Sequence, residues 1–235
     1  MADRVPTGVK GFDELIGGGL VPTSVAIIGG RPGSGKTLFC SQFLYTGATK
    51  YKEPGIYITL EQRGDDIKQD VMGTFGWDLD DLEKKKLILF WPLRIKKVFH
   101  PLEKKKVLTI SMLELSKKIM ELVDSIKAKR VVIDSVSIID MMFEDKFQVR
   151  SELVALFDGF KDRGITALLT TEIPEQGERS EFIDFLGDMV IKLDTMYLRD
   201  EFRRTLTVSK MRRSEHSHFI HPFEITKNGI EVMKL

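Results

Sequence analysis

The stretch IIGGRPGSGKTLF, Ile27–Phe39, places four glycines and one lysine directly after a run of apolar residues. The segment Ser24–Gly29 before the bend predicts a buried strand, and Lys36–Lys50 after it predicts a helix. Between them, Gly30 to Thr37 fits the pattern G-x-x-x-x-G-K-[ST] without a mismatch. A strand–loop–helix unit of this kind presents backbone amides and a helix N-terminus to an anion. The sequence therefore predicts a loop that holds a nucleoside triphosphate.

The residues of this loop have different predicted roles. Glycine lets the backbone turn its amides inward and leaves no Cβ to block a phosphate. We expect Lys36 to reach the β- and γ-phosphates and the Thr37 hydroxyl to bind Mg²⁺. The predicted nucleotide-binding residues of the loop are Gly30, Arg31, Pro32, Gly33, Ser34, Gly35, Lys36, Thr37 and Leu38.

Short apolar runs alternate with longer amphipathic segments over most of the chain, which predicts an α/β fold with a parallel sheet covered on both faces. Further strands are predicted at Gly55–Glu61, Lys86–Phe90, Arg130–Ser135 and Ile165–Glu172. Further helices are predicted at Arg63–Gly76, Ile110–Ala128 and Arg150–Gly164. The segment Leu82–Val107 is expected to be irregular, and it carries three lysine runs between Lys84 and Lys106.

After Asp184 the pattern changes to closely spaced strands, so we expect the sheet to end in antiparallel strands. These strands are predicted at 188–194, 203–211, 222–226 and 230–233, with a hairpin turn at Lys227–Gly229. The chain has no internal repeat and no low-complexity linker, and residues 1–235 are expected to form one domain.

The composition is that of a globular protein, with 42% hydrophobic and 30% charged residues and a net charge of +1. This charge predicts no general attraction to nucleic acid or anionic lipid. The single cysteine, Cys40, forms no intramolecular disulfide, and neither a signal peptide nor a membrane-spanning apolar run is present. We therefore expect a cytoplasmic protein without a membrane partner. Abundant lysine and glutamate with one asparagine, Asn228, are typical of thermophile proteins.

Polar residues at the ends of two predicted strands suggest further parts of the site. Asp134 ends the strand Arg130–Ser135 and is the candidate acid on the metal side, although a strand-end aspartate also commonly caps a turn. Thr170, Thr171 and Glu172 end the last parallel strand, where related folds sense the γ-phosphate. Threonines also occur at strand ends for purely structural reasons.

Together these residues resemble the KaiC-like ATPases of the RecA superfamily, and the resemblance covers nearly the whole chain. It begins at TGVKGFDELIGGGL, continues through the phosphate loop, YITLEQ and VVIDSVS, and ends at RRTLTVSKMRRSEHSHFIHPFEITKNGIEV. The last segment is the most specific, because general P-loop proteins lack it. The resemblance implies a RecA-like fold and an ATPase that uses ATP and Mg²⁺.

The resemblance also implies a catalytic base. In KaiC-like proteins a glutamate pair ends the strand after the phosphate-loop helix, and the first glutamate activates the attacking water or hydroxyl. Here the pair reads Glu61-Gln62, so Glu61 matches the base and Gln62 departs from the pattern. A single acid suffices as general base if it reaches the nucleophile. Glu61 and Lys36 are therefore the predicted catalytic residues.

A basic cluster near the C-terminus is assigned a role across subunits by the same resemblance. Lys210 and Arg212 lie two residues apart, so on a strand they share a face. In the family the matching residues reach the neighbouring subunit's γ-phosphate, and His216 matches a histidine near that nucleotide. Arg213 stands where glycine is usual. The resemblance thus implies a homo-oligomer with shared active sites, expected to be a hexameric ring; otherwise the cluster is a surface salt-bridge strand.

Three other functions are possible on the same scaffold. An autokinase or protein kinase is disfavoured because Asp184-Phe185 stand where the circadian-clock member of the family phosphorylates its own adjacent Ser-Thr pair, although Ser180 lies nearby in the sequence. A recombinase-like DNA-binding ATPase is disfavoured because the segments matching its DNA-binding loops, 140–147 and 172–184, are acidic. The lysine runs could bind nucleic acid elsewhere, but such runs are usually solvated. The third possibility is a binding module that hydrolyses nucleotide slowly and signals through an unknown protein partner. The sequence does not distinguish this module from the ATPase.

Overall fold

Parallel strands form the centre of the fold, and the phosphate-binding loop follows one of them. The structure is a computed structural model that describes residues 3–93, 97–100, 105–108, 110–173, 181–198 and 201–233. Its strands are β1 (Val25–Gly30), β2 (Gly55–Thr59), β3 (Ile88–Pro92), β4 (Lys97–His100), β5 (Lys105–Leu108), β6 (Arg130–Asp134), β7 (Thr166–Glu172), β8 (Met189–Leu198), β9 (Glu201–Met211), β10 (His221–Thr226) and β11 (Gly229–Val232).

Helices cover both faces of this sheet. They are α1 (Phe12–Leu15), α2 (Lys36–Thr46), α3 (Gly64–Phe75), α4 (Leu79–Lys84), α5 (Met112–Ile126), α6 (Val136–Met142), α7 (Lys146–Asp162) and α8 (Glu181–Leu186). A π-helical turn, Gly47–Tyr51, follows α2. None of the helices in the described ranges combines the length and the apolar character needed to span a bilayer.

Nine of the described strands form one sheet in the order β11-β10-β9-β8-β1-β7-β6-β2-β3. The strands from β8 to β3 in this order are parallel, and β9, β10 and β11 are antiparallel. The prediction of an α/β fold with a mostly parallel sheet ending in antiparallel strands is confirmed. One detail is wrong: β8, expected among the antiparallel strands, runs parallel to β1, so β7 is not the last parallel strand. Because β1, β2, β6 and β7 are parallel, they end on the same side of the sheet, called here the carboxyl edge.

The central strands are buried on both faces, which explains their unbroken apolar sequences. In β1, Ala26 and Ile28 pack in a cluster with α2, while Val25 and Ile27 pack on the other face in a cluster with α5 and α7. Side chains of a strand alternate between faces, so two helical layers hold β1 in place. The end of β1, and with it the phosphate loop, is therefore fixed to a rigid support.

Several local predictions differ from the structure. The segment 140–147 is not a loop throughout, because it contains the end of α6 and the start of α7. Asp145 begins α7 as its N-cap, with Oδ1 accepting a hydrogen bond from the Gln148 amide at 2.9 Å. The helix after the phosphate loop ends at Thr46 instead of Lys50. Glycine is a poor helix former, which is consistent with the change at Gly47.

The lysine-rich segment is more regular than its sequence predicts. It contains β3 and the antiparallel hairpin of β4 and β5, which pairs Lys97 with Leu108. Lys104 and the side chains of Lys105 and Lys106 lie outside the described part of the chain. The same holds for most of the acidic segment 172–184. Predictions about nucleic-acid contacts there therefore remain predictions.

Candidate functional site

The phosphate-binding loop lies between β1 and α2 at the carboxyl edge. Gly33 and Gly35 have φ values of 77° and 101°, a left-handed conformation that favours glycine. A Cβ on Gly30 would lie 2.6 Å from the carbonyl oxygen of Leu193 in β8. These three positions therefore need glycine for backbone geometry and for the close approach of the loop to β8.

Lys36 is the first residue of α2, and its side chain returns to the loop. Its Nζ donates hydrogen bonds to the carbonyl oxygens of Gly30 at 2.7 Å and Arg31 at 3.1 Å. These two bonds hold the ammonium group over the loop, beside the N-terminus of α2. A positive charge and the positive end of a helix dipole thus lie at the same place, as anion binding requires.

Three hydroxyl groups converge on the carboxylate of Asp134, which is 7% exposed at the end of β6. Oδ2 accepts hydrogen bonds from Thr37 Oγ1 at 2.9 Å and from the Tyr57 hydroxyl at 2.6 Å. Oδ1 accepts one from Thr170 Oγ1 at 2.5 Å. Because Thr37 donates its proton to Asp134, the lone pairs of its oxygen remain available to a cation. Hydroxyl and carboxylate oxygens are ligands that Mg²⁺ prefers.

Glu61 lies two residues beyond the end of β2 and is exposed. Its Oε1 accepts a hydrogen bond from Ser135 Oγ at 2.5 Å, and Ser135 follows Asp134 directly through a cis peptide bond. The bend that carries Glu61 is closed by Thr59, whose Oγ1 donates to the Gln62 carbonyl oxygen at 2.8 Å. The predicted base and the predicted metal-side acid are thus joined through one serine.

An open cavity of about 370 Å³ connects these groups. Its walls come from the loop, from the bend after β2, from the end of β6 and from α3, and they comprise Pro32, Gly33, Gly35, Lys36, Thr37, Leu38, Glu61, Gln62, Ile67, Asp70, Val71, Thr74, Phe75, Asp134 and Glu172. Gly30 and Ser34 are buried, and Arg31 is exposed. Clefts that bind small molecules have this size and this mixture of apolar walls and a few polar groups.

Comparisons with known proteins agree with this geometry. The family described as "ATPase: KaiC" matches residues 5–235. The chain is 34% identical to the circadian clock protein KaiC2 of Synechocystis sp., over 99% of this chain and 40% of KaiC2. It is 33% identical to a UPF0273 protein of Pyrococcus horikoshii, over 99% of this chain and 94% of that protein.

This chain belongs to the KaiC ATPase family. A crystal structure of a KaiC-like protein from Pyrococcus horikoshii OT3 has the same fold, with a TM-score of 0.84, 35% identity and 99% coverage of both chains. The resemblance stated from the motifs is thereby confirmed. The chain spans less than half the length of KaiC2 and nearly the full length of the UPF0273 protein.

In this KaiC-family chain the basic cluster lies away from the phosphate loop. Lys210 pairs with Val190 of β8, which in turn pairs with Ile27, three residues and about 10 Å before Gly30. The Arg212 amide donates to the carbonyl oxygen of Asp188 at 2.8 Å, level with the start of β1. Neither side chain bonds to the phosphate loop of its own chain within the described residues.

Both cations of the cluster donate hydrogen bonds to backbone carbonyl oxygens of their own chain. Lys210 Nζ donates to the carbonyl oxygens of Asp184, Phe185 and Gly187 at 2.9, 3.1 and 2.6 Å. Arg212 donates to Phe185 at 3.4 Å, which confirms that the two cations share a face. Burial, with the neighbouring charge of Arg212, lowers the pKa of Lys210. The C-terminal carbonyls of α8 therefore partly supply the negative charge that two adjacent cations require.

The segment after β9 contains Arg213, which stands where the resemblance expects a glycine. Arg213 has φ 61°, in the left-handed region that glycine adopts most readily. His216 lies beyond it, with Nδ1 2.9 Å from the carbonyl oxygen of Ser217 and its ring 4.6 Å from that of His218.

Sequence reasoning missed several residues that shape the site. Tyr57 lies inside the apolar strand β2, and Ser135 directly follows Asp134. Nothing in the sequence distinguishes either residue from one that only packs in the core. For Thr170 the sequence leaves open a role in sensing the γ-phosphate or a structural one, and in the structure its hydroxyl donates to Asp134. The cavity-lining residues of α3 were also missed. The one sequence signal for them is that a predicted helix begins directly after the bend that carries Glu61.

Proposed function

We propose that the chain binds ATP with Mg²⁺ in the cavity between the phosphate loop and α3 and hydrolyses it. The observation that carries this proposal is the convergence of Thr37, Asp134 and Glu61 on a cavity that also contains Lys36. Each group comes from a different segment, and each is of the type that phosphoryl transfer needs. Such a set is far more than a tight strand–helix turn requires.

The donor set fits Mg²⁺. Thr37 would bind the cation directly, and Asp134 would accept a hydrogen bond from one of its water ligands. When bound, Mg²⁺ neutralises charge on the phosphate oxygens and helps to place the triphosphate. Lys36 has to exchange its bonds to the Gly30 and Arg31 carbonyls for phosphate oxygens, which it can do without leaving the loop.

Glu61 serves as the general base in the proposed reaction. A water oxygen bonds to the γ-phosphorus, the bond from that phosphorus to the bridging oxygen breaks, and Glu61 accepts the proton of the water. ADP leaves with the bridging oxygen. The backbone amides of the loop and Lys36 stabilise the negative charge of the transferred group. Glu61 is exposed toward the cavity, where a water can reach it.

We propose further that the active site is completed by a neighbouring copy in a ring, with six subunits as the expected size. Lys210 and Arg212 lie level with the start of β1, away from their own phosphate loop, and Arg212 is half exposed. A cation in that position can serve a nucleotide only in another chain. Residues 1–235 form one domain in this proposal, and the ring is a homo-oligomer.

Phosphate release from ATP tests the proposed function. We expect Glu61→Gln to lower turnover about 10²- to 10⁴-fold, the range for loss of a general base. Binding of ATP should persist, because Glu61 is not part of the phosphate loop. Lys36→Ala should instead weaken ATP binding, by about 100-fold for the loss of about 3 kcal/mol. Equal rates in wild type and Glu61→Gln would favour a slow nucleotide-gated binding module.

Mixing two inactive variants tests the shared active site. Lys36→Ala subunits lack the phosphate contact, and Arg212→Ala subunits lack the cation for their neighbour. In randomly mixed rings, roughly a quarter of the interfaces combine an intact loop with an intact arginine. We therefore expect phosphate release to return to about a quarter of the wild-type rate. No recovery, in rings shown by sedimentation to have exchanged subunits, would place both residues in one chain's site.

A further inference from the structure

The hydroxyl of Tyr57 is not among the site groups predicted from the sequence, yet it donates a hydrogen bond to Asp134 Oδ2 at 2.6 Å. Tyr57 is fully buried in β2, and its ring stacks on Phe90 of β3 with centroids 5.1 Å apart and planes 9° apart. Packing of this kind fixes the ring without any help from the oxygen. A buried phenol needs a hydrogen-bond partner, and here the partner is Asp134.

The acceptor positions of Asp134 are nearly filled. An ionised carboxylate has about four lone-pair positions, two on each oxygen. Tyr57 and Thr37 occupy both positions on Oδ2, and Thr170 occupies one on Oδ1. Among the described residues, no other side chain donates to this carboxylate. One acceptor position, on Oδ1, is left for the coordination shell of a cation.

Tyr57 is a dependable donor. Burial, with the adjacent charge of Asp134, raises the pKa of its hydroxyl well above the usual value for tyrosine. An ionised carboxylate can only accept, so the Tyr57 hydroxyl is the donor in their 2.6 Å hydrogen bond. Because its ring is buried and stacked on Phe90, this donor is held in place more firmly than a mobile water would be.

We propose that Tyr57 is a positioning residue for the magnesium site, which together with Thr170 orients the Asp134 carboxylate so that one oxygen position faces the cation. This inference rests on the proposed binding of ATP and Mg²⁺. Groups that hydrogen-bond to the direct ligands of a metal commonly change metal affinity 10- to 100-fold when removed. Tyr57 acts one bond further out, through Asp134, so we expect the lower end of that range. The role differs from that of Thr37, which is itself expected to touch the metal.

Binding of Mn²⁺, followed by electron paramagnetic resonance with a non-hydrolysable ATP analogue present, provides the test. We expect Tyr57→Phe to weaken Mn²⁺ binding about 10-fold, because the ring packing stays and only the donor is lost. Binding of the analogue in EDTA should not change. Thr170→Val should also weaken Mn²⁺ binding, while Thr170→Ser, which keeps the hydroxyl, should bind nearly as the wild type does. Tyr197→Phe, an exposed tyrosine, is the matched control.

The outcomes separate this inference from the proposed function. Mn²⁺ affinity within twofold of wild type in both Tyr57→Phe and Thr170→Val, with lower melting temperatures, would make the two hydroxyls purely structural and overturn the inference alone. Wild-type protein that binds the analogue equally well with and without Mn²⁺ would overturn the proposed function together with it. If Tyr57→Phe does not fold, Thr170→Val tests the same carboxylate through its other oxygen.

Discussion

Replacing Ser135 by alanine should slow turnover while leaving the fold nearly as stable as before. Ser135 is the N-cap of α6, a position where serine normally caps the helix with its own oxygen. Here the hydroxyl makes no capping bond and donates instead to Glu61. The substitution therefore removes no cap, whose loss would cost about 1 kcal/mol. Because Glu61 is exposed, its carboxylate can be hydrated instead, and we expect a stability loss below about 1 kcal/mol.

The effect on hydrolysis should be larger. Without the 2.5 Å bond from Ser135, the Glu61 side chain can adopt rotamers that point away from the attacking water. We expect the catalytic rate at saturating ATP to fall about 10- to 100-fold, which corresponds to about 1.4–2.7 kcal/mol. The affinity for ATP should remain within about twofold, since the phosphate loop is not altered. Steady-state phosphate release over a range of ATP concentrations separates the two quantities.

Two comparisons show whether the serine acts through Glu61. In a Glu61→Gln background, Ser135→Ala should cause little further loss, because residues that act as a unit have non-additive effects. Ser116→Ala removes another buried hydroxyl, on α5, that has no hydrogen-bond partner among the described residues, and it should leave turnover unchanged. Full turnover in Ser135→Ala, or an additive loss in the double variant, would refute the reasoning.

The remaining predictions concern stability. Gly30→Ala should cost about 1–3 kcal/mol by calorimetry, because its Cβ would lie 2.6 Å from the Leu193 carbonyl oxygen. Gly29→Ala should cost less, because its nearest neighbours are the side chains of Ile173 at 3.1 Å and Thr171 at 3.5 Å. Above about pH 10, urea titrations should show wild type losing stability faster than Tyr57→Phe. The pKa of Tyr57 is raised in the folded state, so the unfolded state releases that proton first. Arg130→Met should cost about 2–4 kcal/mol in the same titrations, because the carbonyl oxygens of Pro6 and Phe43 lose their hydrogen bonds from the guanidinium. Glu53, its ion-pair partner, is about one-third exposed and can be hydrated. Equal losses for the two glycine variants, parallel alkaline profiles, or an unchanged Arg130→Met would contradict these expectations.

Much of the fold could be predicted because its signals are local. The apolar runs of β1, β6 and β7 are short and bounded, so their positions were predicted to within one or two residues. Strand–helix alternation required crossover connections, and these make neighbouring strands parallel. The helix α6 and the hairpin of β4 and β5 were missed because short elements have weak periodicity and depend on tertiary packing.

The candidate site could be predicted only in part, for a related reason. The phosphate loop is a continuous segment, so its glycines, Lys36 and Thr37 are visible in one reading. Asp134 and Glu61 required knowledge of which strands end at the same edge. The bonds from Tyr57, Thr170 and Ser135 join segments that are 36 to 77 residues apart in the chain. No spacing rule connects residues so distant.

The sequence by itself determined the phosphate loop, the α/β alternation and the KaiC-type resemblance, because each is encoded in neighbouring residues whose backbone preferences and side-chain types suffice. The tertiary structure alone decided which oxygen of Asp134 each hydroxyl occupies and which group holds Glu61. It also placed Lys210 and Arg212 level with the start of β1, away from their own loop. The physical reason is that strand order and register set these distances, and they are fixed by burying two apolar faces at once.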